Sequence, residues 1–240
     1  MNIYRPQPQA SALDMRVDMR VDMRAIMQQV YLWMTLGLVI TAAVALFLAV
    51  SGITLALGPV LMLAPFAQIG LVWYLSARIE RMSAERATTL FLVFAAVMGV
   101  TMSSIFYWAD LSAIYIALFS TGALFAAMSI VGYTTQIDLS RLGGILFMAL
   151  IGLIIASVVN IFARSSTLYW IISYAGVLIF TGLTAYDTQW IKRAASVLEA
   201  RGELNGSANV RRLALMGALK LYLDFVNLFI YILSLTSRRR

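Results

Sequence analysis

The chain has 240 residues, 62% of them hydrophobic and only 12% charged, with a formal net charge of +7. Soluble domains are about 45–50% apolar and ~25% charged, so the composition excludes an ordinary water-soluble fold and predicts one polytopic membrane domain. Cysteine and histidine are both absent, which excludes disulfides, thiolate and imidazole metal ligands, and triads built on histidine.

Residues 1–27 are polar and carry an internal repeat. D-M-R-V recurs without error from Asp14 to Arg24. On a helix, a period of four sends Met and Val to opposite sides, so no apolar face forms. As extended chain, Asp and Arg alternate with Met and Val on two clean faces. A single strand does not stand alone. The expectation is a flexible cytoplasmic tail with a tandem duplication; a surface-lying or partner-pairing segment is the alternative. The tail lacks the apolar stretch and cleavage site of a signal peptide.

Residues 28–240 read as a single seven-helix transmembrane domain, an all-α bundle. Its apolar segments run at 28–50, 53–77, 87–108, 112–132, 143–163, 167–190 and 213–235, each near the roughly 20 residues a span requires. Short turns such as Ser51-Gly52 and Ala109-Asp110-Leu111 make neighbours antiparallel. Gly122, Ala123, Ala126 and Ala127 recur at four-residue spacing, which predicts close helix contact. Pro59 and Pro65 predict a kink in the second segment. The stretch from Ala194 to Val210 reads as a polar loop.

Lys and Arg set the orientation. Arg5, Arg16, Arg20 and Arg24 lie in the tail; Arg78, Arg81 and Arg86 follow the second segment; Arg141 follows the fourth. Lys192, Arg193, Arg201, Arg211 and Arg212 follow the sixth. All fall on one side if every segment crosses, and the other side's loops hold Arg164. The N-terminus is therefore expected in the cytoplasm. Arg238, Arg239 and Arg240 then lie outside against the rule, but the length of the last segment favours crossing over re-entry. Basic residues placed this way encode topology, so the net charge does not imply a nucleic-acid partner; the partner implied is membrane lipid.

The seventh segment carries the chemistry. Gly217, Lys220, Asp224, Asn227, Tyr231 and Ser234 fall alternately three and four apart, along one helical face. Charge facing lipid is costly, so this polar seam is expected to face protein, with the helix central in the bundle. Asp187 lies near the end of the sixth segment. Asp224 lies about eleven residues into the seventh, roughly 16 Å at 1.5 Å per residue. Two carboxylates in contact resist simultaneous ionisation and titrate as one unit. Sharing a proton, they latch two helices; ionised, they repel unless Lys220 or Arg78 intervenes, and they present oxygens to a hard cation such as Ca2+. With no histidine, a response near neutral pH needs perturbed carboxylates or lysines.

G-L-T-A-Y-D-T-Q at Gly182–Gln189 and A-L-K-L-Y-L-D-F-V-N-L-F at Ala218–Phe229 resemble the last two signature segments of the Bax inhibitor-1 family. W-Y-L-S-A-R-I, ending the second segment, and T-M-S-S-I-F at Thr101–Phe106 are similar to its bacterial members, and the resemblance covers most of the chain after residue 25. It implies seven spans around a central seventh helix, a bacterial inner-membrane location, and a pH-dependent calcium leak through a paired-aspartate sensor. By motif position the pair is Asp187 and Asp224, with Ca2+ as the transported ion and no cofactor.

The leading expectation is a cation leak channel gated by this pair, although no further ring of carboxylates makes a filter. The alternative is a membrane interaction protein that modulates a membrane-bound protease or a stress response, served by the repeat-bearing tail. An intramembrane aspartyl protease is the weakest reading. Its seventh-helix motif G-x-G-D uses glycines to admit substrate, whereas Tyr222-Leu223 precede Asp224 here. The protein is expected not to be an enzyme.

Overall fold

A computed structural model describes residues 12–79, 81–201 and 207–237; the side chains of 12–22, 60 and 207 lie outside the description. Arg5, Arg238, Arg239 and Arg240, used above for orientation, lie outside it too. The described residues form nine helices and no strand: α1 Ala12–Ser51, α2 Ile53–Ala56, α3 Gly58–Arg78, α4 Ala84–Met102, α5 Ile105–Trp108, α6 Leu111–Thr134, α7 Ser140–Ala163, α8 Ser166–Ala200 and α9 Ser207–Thr236.

Six stretches among the described residues are long and apolar enough to cross a membrane: Met23–Ser51, Ala84–Trp108, Leu111–Thr134, Ser140–Ala163, Ser166–Ala200 and Ala208–Thr236. Large apolar side chains point outward along them. Phe47, Phe119, Phe147 and Phe162 are exposed, a surface that water would penalise and lipid would not.

Several expectations change. The D-M-R-V repeat is not extended chain: its backbone belongs to α1, a helix of 40 residues. Nucleation is the costly step in helix formation, and the apolar half of α1 supplies the nucleus, so the polar repeat continues it. The segment at 53–77 is broken rather than only kinked. Leu57 separates α2 from α3, whose first turn accepts Pro59 and whose interior holds Pro65; proline lacks the N–H an interior position needs but a first turn does not. Finally, the polar stretch from Ala194 is not all loop, because α8 runs on to Ala200 and α9 begins at Ser207.

Helix α9 packs on α8, α1, α6 and α4, while α8 also meets α6 and α7, and α3 lies on α4. Among the six stretches α9 is the most enclosed, with 61% of its apolar window buried against 6% for α7. The close helix contacts predicted on α6 exist at other residues. Ala123, Ala126 and Ala127 are exposed, and Gly122 has open space where a Cβ would be. The buried stripe is Ala113, Ala117, Thr121, Phe125, Ser129 and Gly132. At Gly132 the backbone of α6 lies directly against the carbonyl of Ala185 on α8, leaving no room for a Cβ.

Gly132→Val therefore forces two backbones apart and is expected to cost about 1–3 kcal/mol, whereas Gly122→Val meets nothing. Thermal unfolding in detergent checks this: the first variant should melt well below the parent and the second close to it.

Candidate functional site: an aspartate–lysine cluster between α8 and α9

Helices α8 and α9 meet antiparallel in a fixed register. A Cβ on Gly217 would lie 3.0 Å from Ile191, and one on Gly176 would lie 2.5 Å from the ring of Tyr231. Between these tight points, Lys220 Nζ donates to Asp187 Oδ1 at 2.9 Å. Eleven residues separate Lys220 from Tyr231, and eleven separate Asp187 from Gly176. On this register Asp187 faces Lys220, and Asp224 faces the level of Leu183, one helical turn away.

Lys220 is held twice. Its ammonium also lies over the Trp190 ring, 4.8 Å from the centroid, and Asp187 and Trp190 are three apart on one face of α8. The carboxylate and the ring face are each negative and both attract the ammonium. Asp187 is buried, and Lys220 is part-exposed with 35% of its side chain accessible.

Asp224 has no such partner. It is 4% exposed, and its Oδ2 is fully buried without a hydrogen bond. The charges acting on it are those of Asp187 and Lys220. The direct hydrogen bond expected between the two carboxyls is absent among the described residues, because Lys220 occupies the facing position. Arg78, the other suggested charge partner, is exposed at the end of α3 and forms no ion pair among the described residues.

Two further members of the polar seam bond within their own helix. Asn227 Nδ2 donates to the Leu223 carbonyl at 2.8 Å, and Ser234 Oγ to that of Ile230 at 2.8 Å, both on α9 itself. Gly217 serves as a contact point, and Tyr231 stacks on Phe180 with centroids 5.8 Å apart. The seam is thus a packing face with one charged cluster, not a row of polar groups open to water.

Sequence reasoning missed two supports. Tyr222 lies on the opposite side of α9 from Lys220 and Asp224, at about 100° per residue. Its hydroxyl shares a 2.6 Å hydrogen bond with Thr41 Oγ1, which donates onward to the Ala95 carbonyl at 2.8 Å. Phe91 and Phe94 pack edge-on against its ring. This node ties α9 to α1 and α4 and fixes its rotation. The second support clamps the α6–α7 connection to α8. Gln189 accepts from Leu139 N at 2.9 Å and donates to the Ile137 carbonyl at 2.8 Å. Lys192 donates to the Tyr133 carbonyl at 2.8 Å. Arg193 pairs with Asp138 at 2.6 Å and also meets Ser140. The polar run Gln189, Lys192, Arg193 directly after Asp187 was the available signal.

Asp138 lies outside the spans. The Ser140 backbone N–H, donating at 2.8 Å, and the Arg193 guanidinium hold its carboxyl down at about 2. Since the folded value lies below the ordinary one near 3.8, the contribution to stability is complete above the ordinary value and vanishes as pH falls through about 2.

An apolar, polytopic helical bundle defines a membrane protein, and this one holds an ion pair and an unpartnered carboxylate between its last two long helices. Comparison places it further. The family model described as inhibitor of apoptosis-promoting Bax1 matches residues 23–240, and the chain belongs to this Bax inhibitor-1 family. It is similar to the inner membrane protein YbhL of Escherichia coli K12, 44% identical over 216 residues, which cover 88% of this chain and 91% of that one. An uncharacterized protein of Borreliella burgdorferi is 46% identical over 173 residues, 72% of each chain. A membrane protein of Streptococcus pyogenes, SpyM3_0260, is 39% identical over 165 residues, 69% of each.

Two outcomes are expected. Lys220→Met strands the buried Asp187 carboxylate, so it should destabilise more than the double variant Lys220→Met/Asp187→Leu, which removes the orphan charge as well; thermal unfolding of both in detergent reads the difference. Carbon-13 titration of Asp138 should show a midpoint near 2, moving upward in Arg193→Ala.

Proposed function

We propose that this protein is a pH-sensitive cation leak of the bacterial inner membrane, with calcium as the transported ion and the Asp187–Lys220–Asp224 cluster as its gate. The observation that carries the reading is Asp224, a carboxylate buried inside a membrane-spanning helix with Oδ2 unpartnered, beside an ion pair that is otherwise complete. Ionisable groups at such positions mark ion and proton pathways.

The charge count gives the mechanism. With a proton on Asp224 the cluster is neutral, because Lys220 balances Asp187. Without it the cluster carries one net negative charge in a site of low dielectric. Lys220 then has two carboxylates to serve, one turn apart, and the α8–α9 contact loses its single best arrangement. A cation entering the cluster restores neutrality. Calcium takes six to eight oxygens, more than two carboxylates supply, so the cluster is a point of transit rather than a resident metal site. Lys220 on Asp187 also speaks against a protease dyad, which would need one water between two free carboxyls.

Seven spans fit this reading. Gly58–Arg78 supplies the one beyond the six, its 21 residues being about 31 Å long at 1.5 Å per residue. Helix α9 stands at the centre, and the basic loops put the N-terminus in the cytoplasm and the C-terminus outside.

The test is calcium flux into liposomes containing the purified chain, measured across pH 5 to 8. Asp224→Asn, which keeps shape but cannot ionise, should flatten the profile by removing the proton that switches the cluster. Lys220→Gln should move the midpoint without abolishing the response. Unchanged profiles in both would end this reading.

A further inference from the structure

A second feature lies where α8 ends and α9 begins, outside the aspartate cluster. A cavity of about 430 Å³ opens there, with Arg201, Asn209 and Arg212 at its polar rim and Ile79, Met216 and Trp190 among its walls. Arg212 is fixed in place: its Nε donates to the Met82 carbonyl at 3.0 Å and its Nη1 to Asn209 Oδ1 at 3.4 Å. Arginine has five N–H donors, and these two bonds are the ones Arg212 makes among the described residues. Asn209 Oδ1 accepts this second bond, which leaves its amide N–H2 as the donor it can offer. Arg201 is exposed and makes no ion pair among the described residues. These donors lie in the first turns of α9 and just past α8, and the positive end of the α9 dipole adds to their field.

We infer that this cavity binds the phosphate headgroup of an anionic phospholipid, with Arg201, Asn209 and Arg212 on the phosphate and an acyl chain along the apolar wall. Two guanidiniums with one amide match phosphate oxygens by charge and by hydrogen-bond geometry. Basic pockets between membrane helices near the headgroup level take anionic lipids for this reason. The walls decide between sources of phosphate: a free phosphate ion has no use for Ile79 and Met216, whereas a lipid covers them. Trp190 separates the cavity from Lys220, so a bound lipid would touch the ring that supports the ammonium. The binding itself does not depend on the leak proposed above.

Native mass spectrometry of the full-length protein, released from detergent with phosphatidylglycerol or phosphatidylcholine present, tests it. The parent should retain phosphatidylglycerol in preference to phosphatidylcholine. Arg201→Gln/Arg212→Gln should weaken retention by about tenfold or more, while Arg86→Gln/Arg141→Gln, exposed arginines elsewhere, should leave it nearly unchanged. Arg201→Gln alone should weaken it measurably; because Arg201 is exposed and holds no described contact, this variant serves if the double variant fails to fold. Equal loss in both double variants would mean that the headgroups follow net charge alone, and full retention in a folded Arg201→Gln would remove its role. Complete displacement of the lipid by millimolar inorganic phosphate would make this a free-phosphate site. Each of these three results would overturn the assignment.

Discussion

The contact between α8 and α9 is the constraint on which the rest depends. It is close because glycine stands at both tight points, Gly217 against Ile191 and Gly176 under Tyr231. Two rods pinned at separated points can neither slide nor roll. The register is therefore fixed, and it sets Lys220 against Asp187 at 2.9 Å while leaving Asp224 a turn away, buried and without a hydrogen bond to its Oδ2. In a medium of low dielectric this small offset separates a balanced pair from an unbalanced acid. The energetic asymmetry of the site is a consequence of packing.

The surrounding elements keep that register. Tyr222 anchors the far side of α9 to α1 and α4, so the charged side cannot turn toward lipid. Gln189, Lys192 and Arg193 hold the α6–α7 connection against α8 within two turns of Asp187. Gly132 lets α6 reach the backbone of α8 at Ala185, again next to Asp187. Tyr222 acts from the side of α1 and α4, and the other two act from the end of α6 and the connection that follows it. By contrast α7 is almost entirely peripheral, with 6% of its window buried, and offers its apolar residues to the surroundings.

The chemistry follows from what is scarce. The chain contains no histidine or cysteine and only 11 acidic residues, and among the described residues no three acidic side chains gather as a metal site would need. Trp190 also supports the Lys220 ammonium and gives it a contact that does not involve Asp224.

The sequence alone determined the class of the protein, the positions of its apolar segments and the polar line along the last of them, because each is a property of composition or of periodicity within one helix; the aspartate pair came from resemblance to family motifs. Tertiary structure decided what periodicity cannot express. A helical repeat names a face but not the rotation or the axial position of its neighbour, and a shift of one turn leaves the pattern unchanged while exchanging every partner. That is why Asp187 and Asp224 were legible as a pair although Asp187 pairs with Lys220 instead, why Arg78 was a reasonable partner and is exposed at the end of α3, and why the buried small face of α6 runs through Ala117 and Gly132 rather than Gly122 and Ala126. The helical backbone of the D-M-R-V repeat escaped the same way: an isolated repeat has no nucleus for a helix, and the span beside it provides one.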